Sequence, residues 1–200
     1  MVILINSGSS AFTLVAVTYL KEGLKFTGTQ LGILFLVVLT CTIPGSYFGA
    51  WLSQKLDPQT SLKIQLVAFI MTNFVGFTIL RPGYEYVAYT FGVLWGCLLG
   101  WFYPTESLIF SMCMPAGQES ELAGFFLYCT QICAWLPPLV FTIMNESGIS
   151  LQWGGMHLNI YFALAFIFYC CMAPWNECVE AAKTNKMLGE TEKGAKTTLV

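Results

Sequence analysis

The chain has 200 residues, 56% of them hydrophobic and only 10% charged, with a net charge of −2 and a mean hydropathy of +0.66. A soluble domain is about a quarter charged, and so apolar a surface would aggregate in water. The slightly acidic balance, with no basic patch, argues against nucleic acid as a partner and leaves the lipid bilayer as the solvent.

The charged residues separate six apolar stretches, at about 2–20, 31–52, 62–80, 86–112, 122–144 and 156–175. Each is near or above the ~18–20 residues that a helix needs to cross a ~30 Å hydrocarbon core. Helices satisfy their backbone groups within one segment, and the alternating ~10-residue strands of a membrane barrel are not present in the pattern. The sequence therefore predicts an all-α integral membrane protein with six transmembrane helices.

The first stretch carries Asn6, Ser7, Ser9, Ser10 and Thr13. It lacks the basic flank and small-residue cleavage site of a signal peptide and is too polar for the core of one; a helix that lines a cavity is the better reading. The second holds Pro44 with Gly45 and Gly49, and the third holds Asn73. In the fourth, Gly92, Gly96 and Gly100 recur every four residues and form one smooth stripe. In lipid, close van der Waals contact along such stripes is what holds helices together, so all five glycines are read as packing positions.

Pro104 and Glu106 follow in the same stretch. A carboxylate within the bilayer costs at least ~2.5 kcal/mol. Glu106 therefore reads either as a proton-coupling or substrate-amine site, or as a group that snorkels to the interface or bonds a neighbouring helix. The fifth stretch contains Thr130, Gln131, Pro137 and Pro138. Singly, Asn73, Thr130 and Gln131 read as bonds to neighbouring helices; together with Asn6, Ser7 and Ser10 they suggest a polar-lined interior. Prolines at depth suit a hinged bundle around a cavity. His157 opens the sixth stretch and is read as interfacial. The remainder, 176–200, is rich in Lys, Glu and Thr and reads as a disordered tail.

Six crossings put both termini on one side. With cytoplasmic termini, six basic residues lie inside and three outside, as the positive-inside rule asks. The glycosylation sequon Asn145-Glu146-Ser147 then lies outside or in a lumen. The eight cysteines fall within or near the spans rather than in an outer loop, which is no disulfide framework. Cys129 and Cys133 are one turn apart with no His or acidic ligand nearby, so packing outweighs a metal site. One histidine, no phosphate loop and no nucleophile motif argue against an enzyme, and no cofactor is expected.

The string Met114-Pro115-Ala116-Gly117-Gln118-Glu119-Ser120-Glu121-Leu122-Ala123-Gly124-Phe125-Phe126, followed by Leu136-Pro137-Pro138-Leu139, resembles the autophagy-related vacuolar amino-acid effluxer family of the major facilitator superfamily. There a Pro-x-Gly-x-Glu loop (Pro115, Gly117 and Glu119 here) precedes a Gly-x-Phe helix start (Gly124) and a later Leu-Gly-Pro. Thr27-Gly28-Thr29-Gln30-Leu31, Pro44-Gly45 and Phe48-Gly49 look like the same family upstream. The resemblance covers nearly all of 1–175 and corresponds to the second, six-helix half of such a transporter. It departs at Ser53-Gln54, where the superfamily often has Asp-Arg, at Thr130-Gln131, where Asp-Lys is frequent, and at Ser107, where an Arg is often found.

The resemblance implies one half of a major-facilitator-type bundle that moves small polar metabolites, with amino-acid efflux from a vacuole or lysosome during autophagy as the family's activity. Such folds hold substrate between two six-helix halves. A missing N-terminal half or a homodimer is thus the expected partner, beside the lipid and a small-molecule substrate. The competing expectation is a non-transporting membrane interaction or assembly protein derived from a half-transporter. A carrier should gather Asn6, Ser10, Glu106, Thr130 and Gln131 on one face; an assembly protein should scatter them.

Overall fold

The computed structural model describes residues 2–80, 85–114 and 119–180. Pro115, Gly117 and the tail beyond Glu180 lie outside the described residues, and Glu119 is described by its backbone alone. All regular structure among the described residues is helical. Helix α1 is Val2–Thr18 and passes into a π-helical turn, Tyr19–Gly23. Then come α2 (Gly28–Lys55), α3 (Pro58–Ile79) and α4 (Glu85–Met112). The chain continues through α5 (Glu119–Gln131), α6 (Leu136–Glu146), α7 (Leu151–Met156) and α8 (Leu158–Cys171). Residues 175–180, where the tail was expected to begin, are helical.

Five helical segments among the described residues are long and apolar enough to cross a membrane: Gly28–Lys55, Pro58–Ile79, Tyr86–Met112, Ser120–Glu146 and Leu151–Cys171. Helix α1 has 17 residues, a little under the ~20 of a full crossing, and the helical run reaches that length only with its π turn. The protein is thus a multi-pass helical membrane protein with five such segments where the sequence predicts six.

Local chemistry explains the boundaries. Helix α2 starts three residues earlier than its apolar stretch because Thr27 and Gln30 form a capping box: the Thr27 hydroxyl accepts from the Gln30 N–H, and the Gln30 side chain accepts from the Thr27 N–H at 2.9 Å. Pro58 sits in the first turn of α3, where its missing N–H costs nothing. Pro44 and Pro104 lie inside helices that continue past them. Pro137 and Pro138 instead coincide with a break, because two adjacent N–H groups are missing. The fifth stretch divides at residues 132–135, and α6 restarts with the Leu136 N–H on the Cys133 carbonyl at 3.1 Å.

Helix α4 packs on α2 and α3, while α1 lies against α5, α6 and α8. Phe12, Phe69, Trp95 and Phe162 tie α1, α3, α4 and α8 together, with ring centroids 4.9–5.2 Å apart. The α2–α4 seam is made of glycine. A Cβ on Gly45 would fall on the Cys97 backbone, and one on Gly100 on the Thr42 backbone. Gly49 faces the Trp101 ring, Gly92 the Leu34 side chain and Gly96 the Val38 carbonyl. Backbone cannot give way as a side chain tip can, so these contacts set how close the two helices come.

Gly100→Ala should therefore lower the thermal unfolding midpoint in detergent, by the equivalent of roughly 1–3 kcal/mol for an overpacked contact, although alanine is the better helix former. Gly124→Ala, where nothing lies within 4 Å of the added carbon, should leave the midpoint at or above that of the wild type.

Candidate functional site

Glu106 lies two residues beyond Pro104 on α4 and is only 6% exposed. Its partner comes from α1: Asn6, 8% exposed, donates its Nδ2–H to the Glu106 Oε1 at 2.6 Å. Phe102 and Ile109, one turn before and after on α4, are buried hydrophobics. A hydrogen bond in so apolar a setting is stronger than in water, and a bond to a carboxylate is about twice as strong as a neutral one. It offsets part of the cost of keeping the carboxyl group at depth.

The neighbourhood of the pair is partly polar. Ser7 is buried beside Asn6 in sequence, and its hydroxyl has no hydrogen-bond partner among the described residues. Asn6, Ser10 and Thr13 are spaced to share one face of α1, and Ser10 and Thr13 are exposed. On α4, Tyr103 and Ser107 flank Glu106 and are exposed as well. The pair therefore sits behind a strip of exposed hydroxyls on two adjoining helices.

The other candidates lie elsewhere. Asn73 on α3 is fully buried and accepts from the Trp95 indole N–H at 2.9 Å, leaving its Nδ2 without a partner among the described residues. Thr130 is buried, with its hydroxyl on the Leu127 carbonyl of its own helix at 2.7 Å. Gln131 is the last residue of α5 and is exposed at the break. Asn6 and Glu106 are thus brought together, whereas Asn73, Thr130 and Gln131 do not join them.

Some polar contacts had no counterpart in the sequence reading. The Ser53 hydroxyl donates to the Ser61 hydroxyl at 3.1 Å, and the Trp101 indole donates to the same oxygen at 2.9 Å, which joins α2, α3 and α4. Gln65 Nε2 donates to the Leu98 carbonyl at 3.2 Å. Ser61, Gln65 and Asn73 stand at multiples of four residues, a polar stripe on one face of α3 that the sequence carries openly.

His157, which the sequence places near a span end, is 7% exposed, with Nδ1 against the Gly154 carbonyl and Nε2 3.1 Å from the Pro137 carbonyl. It ties the restart of α6 to the α7–α8 junction. Among the described residues no three His, Cys, Asp or Glu side chains converge to hold a metal.

A buried carboxyl group next to an amide can hold or release a proton, or receive an ammonium group once Asn6 moves aside. If the 2.6 Å bond organises the site, a double-mutant cycle of Asn6→Leu and Glu106→Leu in thermal unfolding should give a coupling of about 1 kcal/mol or more. Additive losses would show that the two residues do not act together.

Comparison with known families matches residues 2–185 to the family described as vacuole effluxer Atg22 like. No curated protein and no solved structure matches. The match takes in α1 to α8 and the helical stretch after them, with Asn6, Glu106 and the capping box of α2 all inside it. The chain belongs to the vacuole effluxer Atg22-like family, a family of transporter-type membrane proteins.

Proposed function

We propose that the chain is a secondary transporter, or one half of one, that carries small polar metabolites, with amino acids leaving a vacuole or lysosome in autophagy as its cargo. In this reading α1 and its π turn form a sixth crossing. The six crossings make one half of a major-facilitator-type bundle, with cytoplasmic termini. Substrate is held between this bundle and a second six-helix unit, either an N-terminal half or another copy of the chain.

The observation that carries the reading is the Asn6–Glu106 bond, an ionisable group kept at depth at a cost that packing alone does not call for. It joins two different helices, behind a strip of exposed hydroxyls at Ser10, Thr13, Tyr103 and Ser107. Proton uptake by Glu106, or an amine paired with its carboxylate, would weaken that bond and loosen α1 from α4. Pro104, two residues before Glu106, and the break between α5 and α6 supply the points at which such a bundle bends.

A second reading, a non-transporting assembly protein, draws on the polar groups of α3. Ser61, Gln65 and Asn73 each take part in a hydrogen bond with a neighbouring helix.

Uptake of a mixed radiolabelled amino-acid pool into proteoliposomes, with and without a pH gradient, separates the two. The carrier reading expects gradient-dependent uptake that is lost in Glu106→Gln, a variant that keeps an oxygen for the Asn6 donor. Folded wild-type protein that moves none of the pool would contradict carriage by this chain alone and favour the assembly reading.

A further inference from the structure

A cavity of about 240 Å³ opens where the end of α1 meets α6. Its polar lining is Thr18 and Glu22 from α1 and the π turn, with Thr142 and Asn145 from α6; Leu14 and Phe141 belong to its apolar wall. Glu22 is separated from Asn6 by sixteen positions of helical chain, roughly 24 Å at the α-helical rise. The cavity is therefore distinct from the Asn6–Glu106 pair.

The lining offers acceptors. The Thr18 hydroxyl donates its proton to the Leu14 carbonyl and the Thr142 hydroxyl to the Pro138 carbonyl, each at 3.0 Å. Each oxygen is left with lone pairs alone to present to a ligand. The Asn145 side chain adds an amide oxygen and Glu22 a carboxylate, and no cationic side chain belongs to the lining. No hydrogen bond or ion pair holds the Glu22 carboxylate among the described residues.

Glu22 is carried by the π turn, and such turns are rare and concentrate at functional sites. This one is fixed in place: the Tyr19 hydroxyl donates to the Leu80 carbonyl at 2.7 Å, and the Tyr19 ring meets Phe77 edge-on at 5.2 Å. The support holds Glu22 beside the cavity, whose wall includes Phe141. The volume is below the roughly 300–1,000 Å³ of pockets for drug-sized ligands, so the ligand is small.

We propose that this cavity binds a small organic cation, an ammonium group on a short apolar body, with Glu22 as its counter-charge. The site stands apart from the carrier reading, because its occupancy is measured as binding and does not require transport.

The test is calorimetric titration of the full chain, purified from a bacterial host so that Asn145 carries no glycan. The probes are phenethylamine, its neutral analogue phenethyl alcohol and the carboxylate 3-phenylpropionate. Phenethylamine should bind saturably, and the alcohol and the carboxylate at least about tenfold more weakly, as the loss of a charge-assisted contact implies. Glu22→Gln should weaken phenethylamine by a similar factor, and Thr142→Phe, which fills the cavity, should abolish its binding; circular dichroism confirms that both variants fold. Folded wild type that does not bind phenethylamine, a carboxylate that binds as tightly, or binding unchanged in either folded variant would overturn the assignment.

Discussion

In lipid, no water is at hand to satisfy a polar group, so each one that enters the bundle must find its partner inside the protein. The rest of the structure follows from that constraint. It selects helices, and it directs most interior hydroxyls to the carbonyl one turn back, as at Thr72, Thr105 and Thr130. It also makes the polar side chains that bond across helices the fixed points of the bundle: Asn6 on Glu106, Trp95 on Asn73, Trp101 on Ser61 and Tyr19 on Leu80. Each joins elements far apart in sequence, and each would leave a stranded group if the helices separated.

Close packing works on the same helices in a complementary way. Along the α2–α4 seam backbone meets backbone at Gly45 and Gly100, where a Cβ would collide, and the Phe48 ring meets Trp101 edge-on at 5.1 Å. With α4 fixed against α2, the interhelical bond made by Glu106 reaches to α1. Rigid seam and polar contact thus share a helix, an arrangement in which proton or ligand exchange at Glu106 can be felt by α1 without loosening the core.

Much of this was legible in the residues. Glycines every four positions announced a helix seam, because the spacing is itself the geometry. Glu106 announced itself as a lone acid in an apolar stretch, and Thr27-Gly28-Thr29-Gln30 as a helix start. The partner of Glu106 was less accessible: Asn6 was singled out for polarity at depth, but no periodicity tells which of several buried amides will meet a carboxyl group 100 residues away. For the same reason Asn73 and Gln131 were grouped with it although their neighbours differ. The contacts of His157 were not legible either, because only the fold brings the Pro137 carbonyl, twenty residues back, to its ring. The π turn left no composition signal at all; it arises where Tyr19 is pinned to Leu80.

The account depends most on α1, which belongs to none of the five segments long and apolar enough to cross a membrane. The decisive measurement is labelling with a membrane-impermeant maleimide in sealed vesicles, using a cysteine-free background with single cysteines at Val2 and Lys21. The account predicts reaction from opposite faces, with α1 through the bilayer and Asn6 carried to Glu106 inside it. Reaction of both from the same face would contradict it, since Asn6 would then not meet a carboxyl group buried in α4.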